Sequence, residues 1–322
     1  MAGDSAQVSG PSPASMVSPV PAPSAVPVAT RWLIAGIVIC ALIWGTTWYA
    51  ITLQLGPVAP TVSIVWRFGL AALALFGFCL ATRRPLRLNR VQHLAALGQG
   101  AFVFAISYGF VYASEERVPS AVVAVIFAGL AFINLVLFRV IAGQKASRLA
   151  WGGAALGLLG VAVLSGSEIL GSDMTEAAGL GVGMAALAVL SSAFGNYFAW
   201  RGQVAGSAVM PATAWAMAYG TAMLAVFGLT QGVEWRIEPT FSYIGSLIYL
   251  SLFGSVVAFV IYFTIARSRG YALASYISAL TPPIAMLVSV LFEGASFGLT
   301  ALFGLALVLA GQVLLIRAPK VS

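Results

Sequence analysis

Residues 32–53 read WLIAGIVICALIWGTTWYAITL, twenty-two positions without a charged side chain. A helix crossing a bilayer needs about 20 mostly apolar residues, and this stretch meets that length on its own. Nine more runs of the same kind follow, at 60–82, 93–114, 118–139, 149–167, 177–200, 209–230, 240–266, 271–292 and 295–316. They are uninterrupted, unlike the alternating segments of about ten residues that build a barrel, so the expected fold is an all-α membrane protein with ten transmembrane helices. Composition agrees, with 61% hydrophobic and 8% charged residues in 322. A soluble chain of that size needs far more polar surface, which excludes soluble enzymes, nucleic-acid binders and disordered scaffolds.

Residues 1–30 differ from the rest. They hold six of the 15 prolines and a single charge, Asp4, with neither the basic start nor the apolar run of a signal peptide. The expectation there is a disordered cytoplasmic tail.

Charge placement sets the topology. If the N-terminus and the even-numbered connections share one side, that side collects 13 of the 16 Lys and Arg, including the run Arg83, Arg84, Arg87 and Arg90. Only Arg117 and Arg236 fall on the other side, and Arg67 lies inside a span. The positive-inside rule then puts both termini in the cytoplasm and accounts for the +7 net charge with no nucleic-acid partner. Eight of the nine acids fall on the opposite side or at helix ends facing it. Cys40 and Cys79 sit within the first two spans and read as small apolar fillers. No disulfide framework, metal spacing or cofactor motif is present in the sequence.

The chain resembles itself at a nearly constant offset. Trp44-Gly45-Thr46 parallels Phe194-Gly195-Asn196 150 positions on, and Gly153 and Gly160 parallel Gly304 and Gly311 151 positions on. Five spans per copy is an odd number, so the second copy enters from the opposite side as an inverted repeat. The expected domains are the tail at 1–30, a first five-helix repeat at 31–168 and a second at 177–317. Secondary transporters recurrently place their substrate near the midplane between such repeats.

Ten spans in five-plus-five form, Trp44-Gly45, Trp66-Arg67-Phe68, Thr281-Pro282-Pro283 and Phe292-Glu293-Gly294 followed by Gly304 and Gly311 together resemble the drug/metabolite transporter superfamily, EamA type. The resemblance covers about 32–317. Two departures are Gln144, where the first copy often has Glu, and a Glu293-to-Gly304 spacing two longer than Gln144-to-Gly153. What the resemblance implies is an inner-membrane carrier of small molecules, often an exporter, most similar to the amino-acid exporter branch. The smaller four-helix multidrug relatives use a carboxylate in their first helix; the first span here has none.

The candidate substrate-binding residues are Trp44, Trp48, Arg67, Tyr108, Tyr112, Phe132, Asn134, Asn196, Trp200 and Tyr276. Tyr108 and Tyr112 share one helix face, as do Trp44 and Trp48. Deep indoles, phenols and amides suit a solute with a flat apolar part and a polar head. Arg67 lies about 10 Å below the outer surface, counted from Pro60. Two readings fit it, an anchor for an anionic group or a tie to backbone carbonyls between helices. Interfacial belts account for Trp32, Trp151 and Trp235, and ordinary helix packing accounts for part of the candidate set. Pro282 and Pro283 interrupt the ninth span and are candidate gating residues, a static kink being equally compatible.

No Asp or Glu falls in the middle of a span and the sole histidine, His93, begins the third. That favours uniport or exchange over proton coupling. Gly294-Ala295-Ser296-Phe297-Gly298 matches a nucleophile-elbow string but opens a membrane helix, far from His93, so no enzyme is expected. The expected function is export of small metabolites, aromatic or neutral amino acids first, by alternating access around a central aromatic cavity. A drug or nucleoside carrier, or a channel, is the alternative. The expected partners are a small-molecule substrate and the bilayer, and the expected state is a monomer.

Overall fold

The computed structural model describes residues 30–56, 58–171, 175–269, 271–274 and 276–318. The candidate tail at 1–30 lies outside them except for Thr30. The described residues are helical, with turns between the helices and no strand. The order is α1 (Thr30–Thr52), α2 (Pro60–Ala81), α3 (Arg90–Glu115), α4 (Ser120–Ala142), α5 (Arg148–Gly171), α6 (Thr175–Val204), α7 (Val209–Thr230), α8 (Phe241–Ser268), α9 (Tyr276–Phe292) and α10 (Leu299–Arg317). A short turn, Tyr271–Ala274, precedes α9. Among the described residues eight of these are long and apolar enough to cross a membrane, α1 to α8. Among the described residues the apolar stretches of α9 and α10 are Leu280–Phe292 and Leu299–Leu315. The tenth helix starts at Leu299 instead of 295, because Gly294 turns the chain at φ +66° and Gly298 is extended.

Local chemistry sets the helix ends. Pro60 stands in the first turn of α2, where its missing N–H costs nothing. Asn89 and Gln92 make a reciprocal capping box at the start of α3. Gly143, at φ +65°, stops α4. Inside α4 the helix breaks at Gly129, and the side chain of Gln312 in α10 donates to the carbonyl of Ala128 at 3.0 Å. That bond supplies a partner to backbone the break would leave short of one.

Two helices are wound more widely in their middles. Gly100–Ser107 of α3 and Leu250–Val257 of α8 are π-helical, and the two segments lie 150 positions apart. A π turn of this kind is uncommon and tends to sit at functional sites. Its recurrence at the offset already seen in sequence extends the internal likeness from residues to backbone.

Glycine governs the close approaches. A Cβ at Gly153 would meet the Gly311 carbonyl at 2.6 Å, and one at Gly160 would meet the Gly304 carbonyl at 2.6 Å. α5 and α10 therefore touch backbone to backbone. As numbers rise along one helix they fall along the other, so this pair runs antiparallel. α2 and α7 do the same, Gly69 facing Thr221 and Gly228 facing Thr61. Between α1 and α9, Gly45 receives Ile284 so tightly that a Cβ would lie 2.5 Å from its methyl. Around this packed interior, Leu73, Leu80, Val140, Leu229 and Phe303 stand more than half exposed, an apolar exterior suited to acyl chains.

Candidate functional site

A cavity lies among α1, α3, α4, α6, α8 and α9, at the middle of the bundle. Its volume is about 70 Å³, room for several water molecules. From α1 come Trp44, Thr47, Trp48 and Ile51, and from α3 Val103, Tyr108 and Val111. α4 adds Ala124, Phe127 and Leu130. The opposite wall is Ser192 and Asn196 of α6, Phe259 and Tyr262 of α8, and Ser278 and Thr281 of α9. Elements of both sequence halves thus close around one space.

Its walls are aromatic and held in fixed poses. Trp44 packs on Phe259 and Tyr262 at ring separations of 5.2 and 5.3 Å, and its indole N–H donates to the Gly254 carbonyl at 3.1 Å. That carbonyl belongs to the π segment of α8. Trp48 packs on Phe127 at 5.0 Å, and its buried indole N–H has no hydrogen-bond partner among the described residues. Tyr108 follows the π segment of α3 and lies edge-on to Phe68 at 4.7 Å. The polar end is Asn196, whose amide N–H groups reach Tyr262 Oη at 3.2 Å and Asn134 Oδ1 at 3.4 Å. Asn134 itself is buried behind this bond, and its own Nδ2 lacks a partner among the described residues.

Of the sequence candidates, Trp44, Trp48, Tyr108 and Asn196 line the cavity. Arg67 is 0% exposed and stands behind the wall. Its Nε donates to Ser255 Oγ at 3.1 Å, one Nη reaches Tyr108 Oη at 3.5 Å, and the guanidinium lies 4.6 Å from the Tyr108 ring centre. The other Nη has no hydrogen-bond partner among the described residues. Tyr112 is fully buried beside Val111, its hydroxyl donating to Gln54 Oε1 at 2.6 Å.

The remaining candidates sit elsewhere. Phe132 faces Gly157 of α5, where a Cβ would fall 1.9 Å from its ring, so it packs α4 on α5. Trp200 belongs to an aromatic group with Phe138 at 5.8 Å and Tyr197 at 5.9 Å, and Phe138 stacks on Tyr271 at 5.3 Å. Tyr276 opens α9, and its side chain lies outside the described residues. α9 continues as helix through Pro282 and Pro283, with Thr281 Oγ1 donating back to the Ile277 carbonyl at 2.8 Å. The prolines do not line the cavity, but Ser278 and Thr281 beside them do.

Sequence reading missed Phe127, Phe259 and Tyr262. Tyr262 carries the signal used for Tyr108, a phenol deep in an apolar span. Phe127 and Phe259 carry none, since one phenylalanine among 19 looks like another. No group of three or more His, Cys, Asp or Glu that could hold a metal occurs among the described residues.

Comparison with known proteins follows the same outline. The sequence profile described as the EamA-like transporter family matches twice, over residues 31–166 and 179–317. The chain is 28% identical over 295 residues to "Uncharacterized inner membrane transporter YedA" of Escherichia coli K12, covering 87% of this chain and 92% of that protein. It is 24% identical over 252 residues to "Uncharacterized transporter YoaV" of Bacillus subtilis 168, covering 78% and 85%. A protein solved by crystallography shares the fold with a TM-score of 0.68 at 19% identity, over 89% of this chain and 96% of that one. With two profile matches spanning both halves of an apolar helical bundle, the chain is a membrane transporter and belongs to the EamA-like transporter family.

Proposed function

We propose that this transporter exports small metabolites, aromatic or neutral amino acids first, by alternating access around the central cavity. The observation that carries the reading is the cavity wall itself. Trp44, Trp48, Tyr108 and Phe127 offer flat apolar surface, and the Asn196 amide supplies a polar end where Tyr262 and Asn134 orient it. Flat surface holds an aromatic or branched side chain, and the fixed polar groups choose its orientation.

The ten helices form two inverted five-helix repeats, at 31–168 and 177–317, with both termini in the cytoplasm. Support comes from the antiparallel α5–α10 and α2–α7 pairs, the two π segments 150 apart and the distribution of Lys and Arg. Inverted copies can exchange conformations, which opens one central site to each side in turn. Two closures bracket the cavity. At one end Phe138 stacks on Tyr271 and meets Trp200 edge-on; at the other Ser120 Oγ donates to Glu293 Oε2 at 2.7 Å, and Tyr112 to Gln54. α9 takes part in the motion, with Pro282 and Pro283 softening it between Thr281 and the Gly45 contact. Mid-depth carboxylates are missing from the spans, so the cycle is uniport or exchange, without proton coupling.

The experiment is uptake into liposomes holding the purified chain, using labelled amino acids and nucleosides with and without a pH gradient. Saturable uptake of phenylalanine, tyrosine, tryptophan or leucine, indifferent to the gradient, is expected. Uptake of nucleosides alone contradicts the cargo, and gradient-driven uptake contradicts the energetics.

A further inference from the structure

Glu115 is the last residue of α3 and only 6% exposed. Neither of its carboxylate oxygens has a hydrogen-bond partner among the described residues. It lies one turn beyond Val111 and two beyond Tyr108, on the helix face that lines the cavity. On the same stretch of α3, Tyr108 holds Arg67 at 3.5 Å and Tyr112, three residues before Glu115, holds Gln54 at 2.6 Å. Yet the ion pairs among the described residues are Arg117 with Glu116 and Arg236 with Glu234, and neither includes Glu115 or Arg67. Each of these two buried side chains therefore keeps open hydrogen-bonding capacity, at one Nη of Arg67 and at both oxygens of Glu115. Gln54 adds a third open group. Its Oε1 accepts from Tyr112, while its buried Nε2 donates to no described residue.

Buried charges held apart and unpaired are costly, and the cost is relieved when something bearing the opposite charges settles between them. The open groups are of both kinds. Arg67 and Gln54 present donors, which suit a carboxylate, and Glu115 presents acceptors, which suit an ammonium with its three N–H bonds. Glu293, held by Ser120 five residues beyond Glu115, brings a second carboxylate to this end of α3 and strengthens the pull on a cation there.

We propose that Glu115, Arg67 and Gln54 form a head-group subsite beyond the aromatic cavity that reads a zwitterion, its ammonium on Glu115 and its carboxylate on Arg67 and Gln54. The subsite rests on the transport reading above and assigns what that reading left open, how a free amino acid is told from an acid or an amine of the same shape. Loss of either charge from the solute leaves one buried protein charge unpaired, which is the strongest form of rejection available to a site.

The test is competition against labelled L-phenylalanine uptake in liposomes holding the full chain. Unlabelled L-phenylalanine, 3-phenylpropanoate and phenethylamine are the competitors, without ammonium in the second and without carboxylate in the third. In the wild type, L-phenylalanine competes better than either by about tenfold or more. Glu115→Gln brings 3-phenylpropanoate level with L-phenylalanine, and Glu115→Asp keeps the discrimination. Gln54→Ala weakens the two carboxylate-bearing competitors and spares phenethylamine, and it carries the test if Glu115→Gln does not elute as a folded monodisperse species. An unchanged preference in Glu115→Gln, or an equal loss for all three competitors, overturns the subsite. So does wild-type uptake driven by a pH gradient and uncoupled from it by Glu115→Gln, which makes Glu115 a proton site. A wild type that takes up no amino acid overturns the cargo reading, and the subsite with it.

Discussion

Residues that look alike in sequence separate once their neighbours are known. Phe132 and Tyr108 are both deep aromatics, but Phe132 fills a notch over Gly157 while Tyr108 faces the cavity. Phe132→Ala therefore lowers stability by about 3–5 kcal/mol, as expected for a buried phenylalanine, and leaves the KM of the folded fraction unchanged. Tyr108→Ala does the reverse, with KM raised and the thermal unfolding midpoint moved less; thermal unfolding and initial-rate uptake on the same preparations check both. Asn196→Ala removes the amide that Tyr262 and Asn134 orient, and with it the one bond offered to a polar-headed solute, whose KM rises by about tenfold or less. The sequence marked Trp44, Tyr108 and Asn196 by their depth and Trp48 by the helix face it shares with Trp44, and all four line the cavity. It did not separate Phe132 and Trp200 from them, because depth says nothing of which way a side chain turns.

At the scale of helices, glycine spacing was legible and helix winding was not. The Gly153/Gly160 and Gly304/Gly311 pairs stand out as an offset, and they prove to be the points where α5 and α10 touch. The π segments leave no comparable mark, because Gly100–Ser107 and Leu250–Val257 are ordinary apolar stretches whose wide turns are set by what packs on them. Gly160→Leu forces a side chain into the Gly304 carbonyl, where overpacking costs about 1–3 kcal/mol. The expected result is a lower unfolding midpoint and lower yield of monodisperse protein, with the KM of what folds unchanged. In α9, Pro282→Ala with Pro283→Ala restores two backbone donors, so stability rises and turnover falls if the softened helix moves during transport. Unfolding midpoint and uptake rate read the two effects separately.

For the whole molecule, scarcity of charge carries most of what the sequence says. Sixteen basic residues, thirteen on one side, fix the proposed orientation, and the two native cysteines are buried and out of the way of labelling. A cysteine introduced at Arg84 should react with a membrane-impermeant maleimide only from the cytoplasmic face, and one at Gln231 only from outside. Both positions are exposed. The same pattern of charge hid Glu115, which reads as one more acid at a helix end and proves buried, one turn past the cavity.

Alternating access around the aromatic cavity is tested most directly by counterflow. Liposomes holding the chain are loaded with unlabelled L-phenylalanine and given a trace of labelled L-phenylalanine outside, with no pH gradient. A carrier with one central site accumulates label transiently above equilibrium, and Trp44→Ala, folded as judged by elution, abolishes the overshoot. Uptake that rises linearly with concentration and shows no overshoot contradicts a carrier, and an overshoot untouched by Trp44→Ala contradicts the cavity.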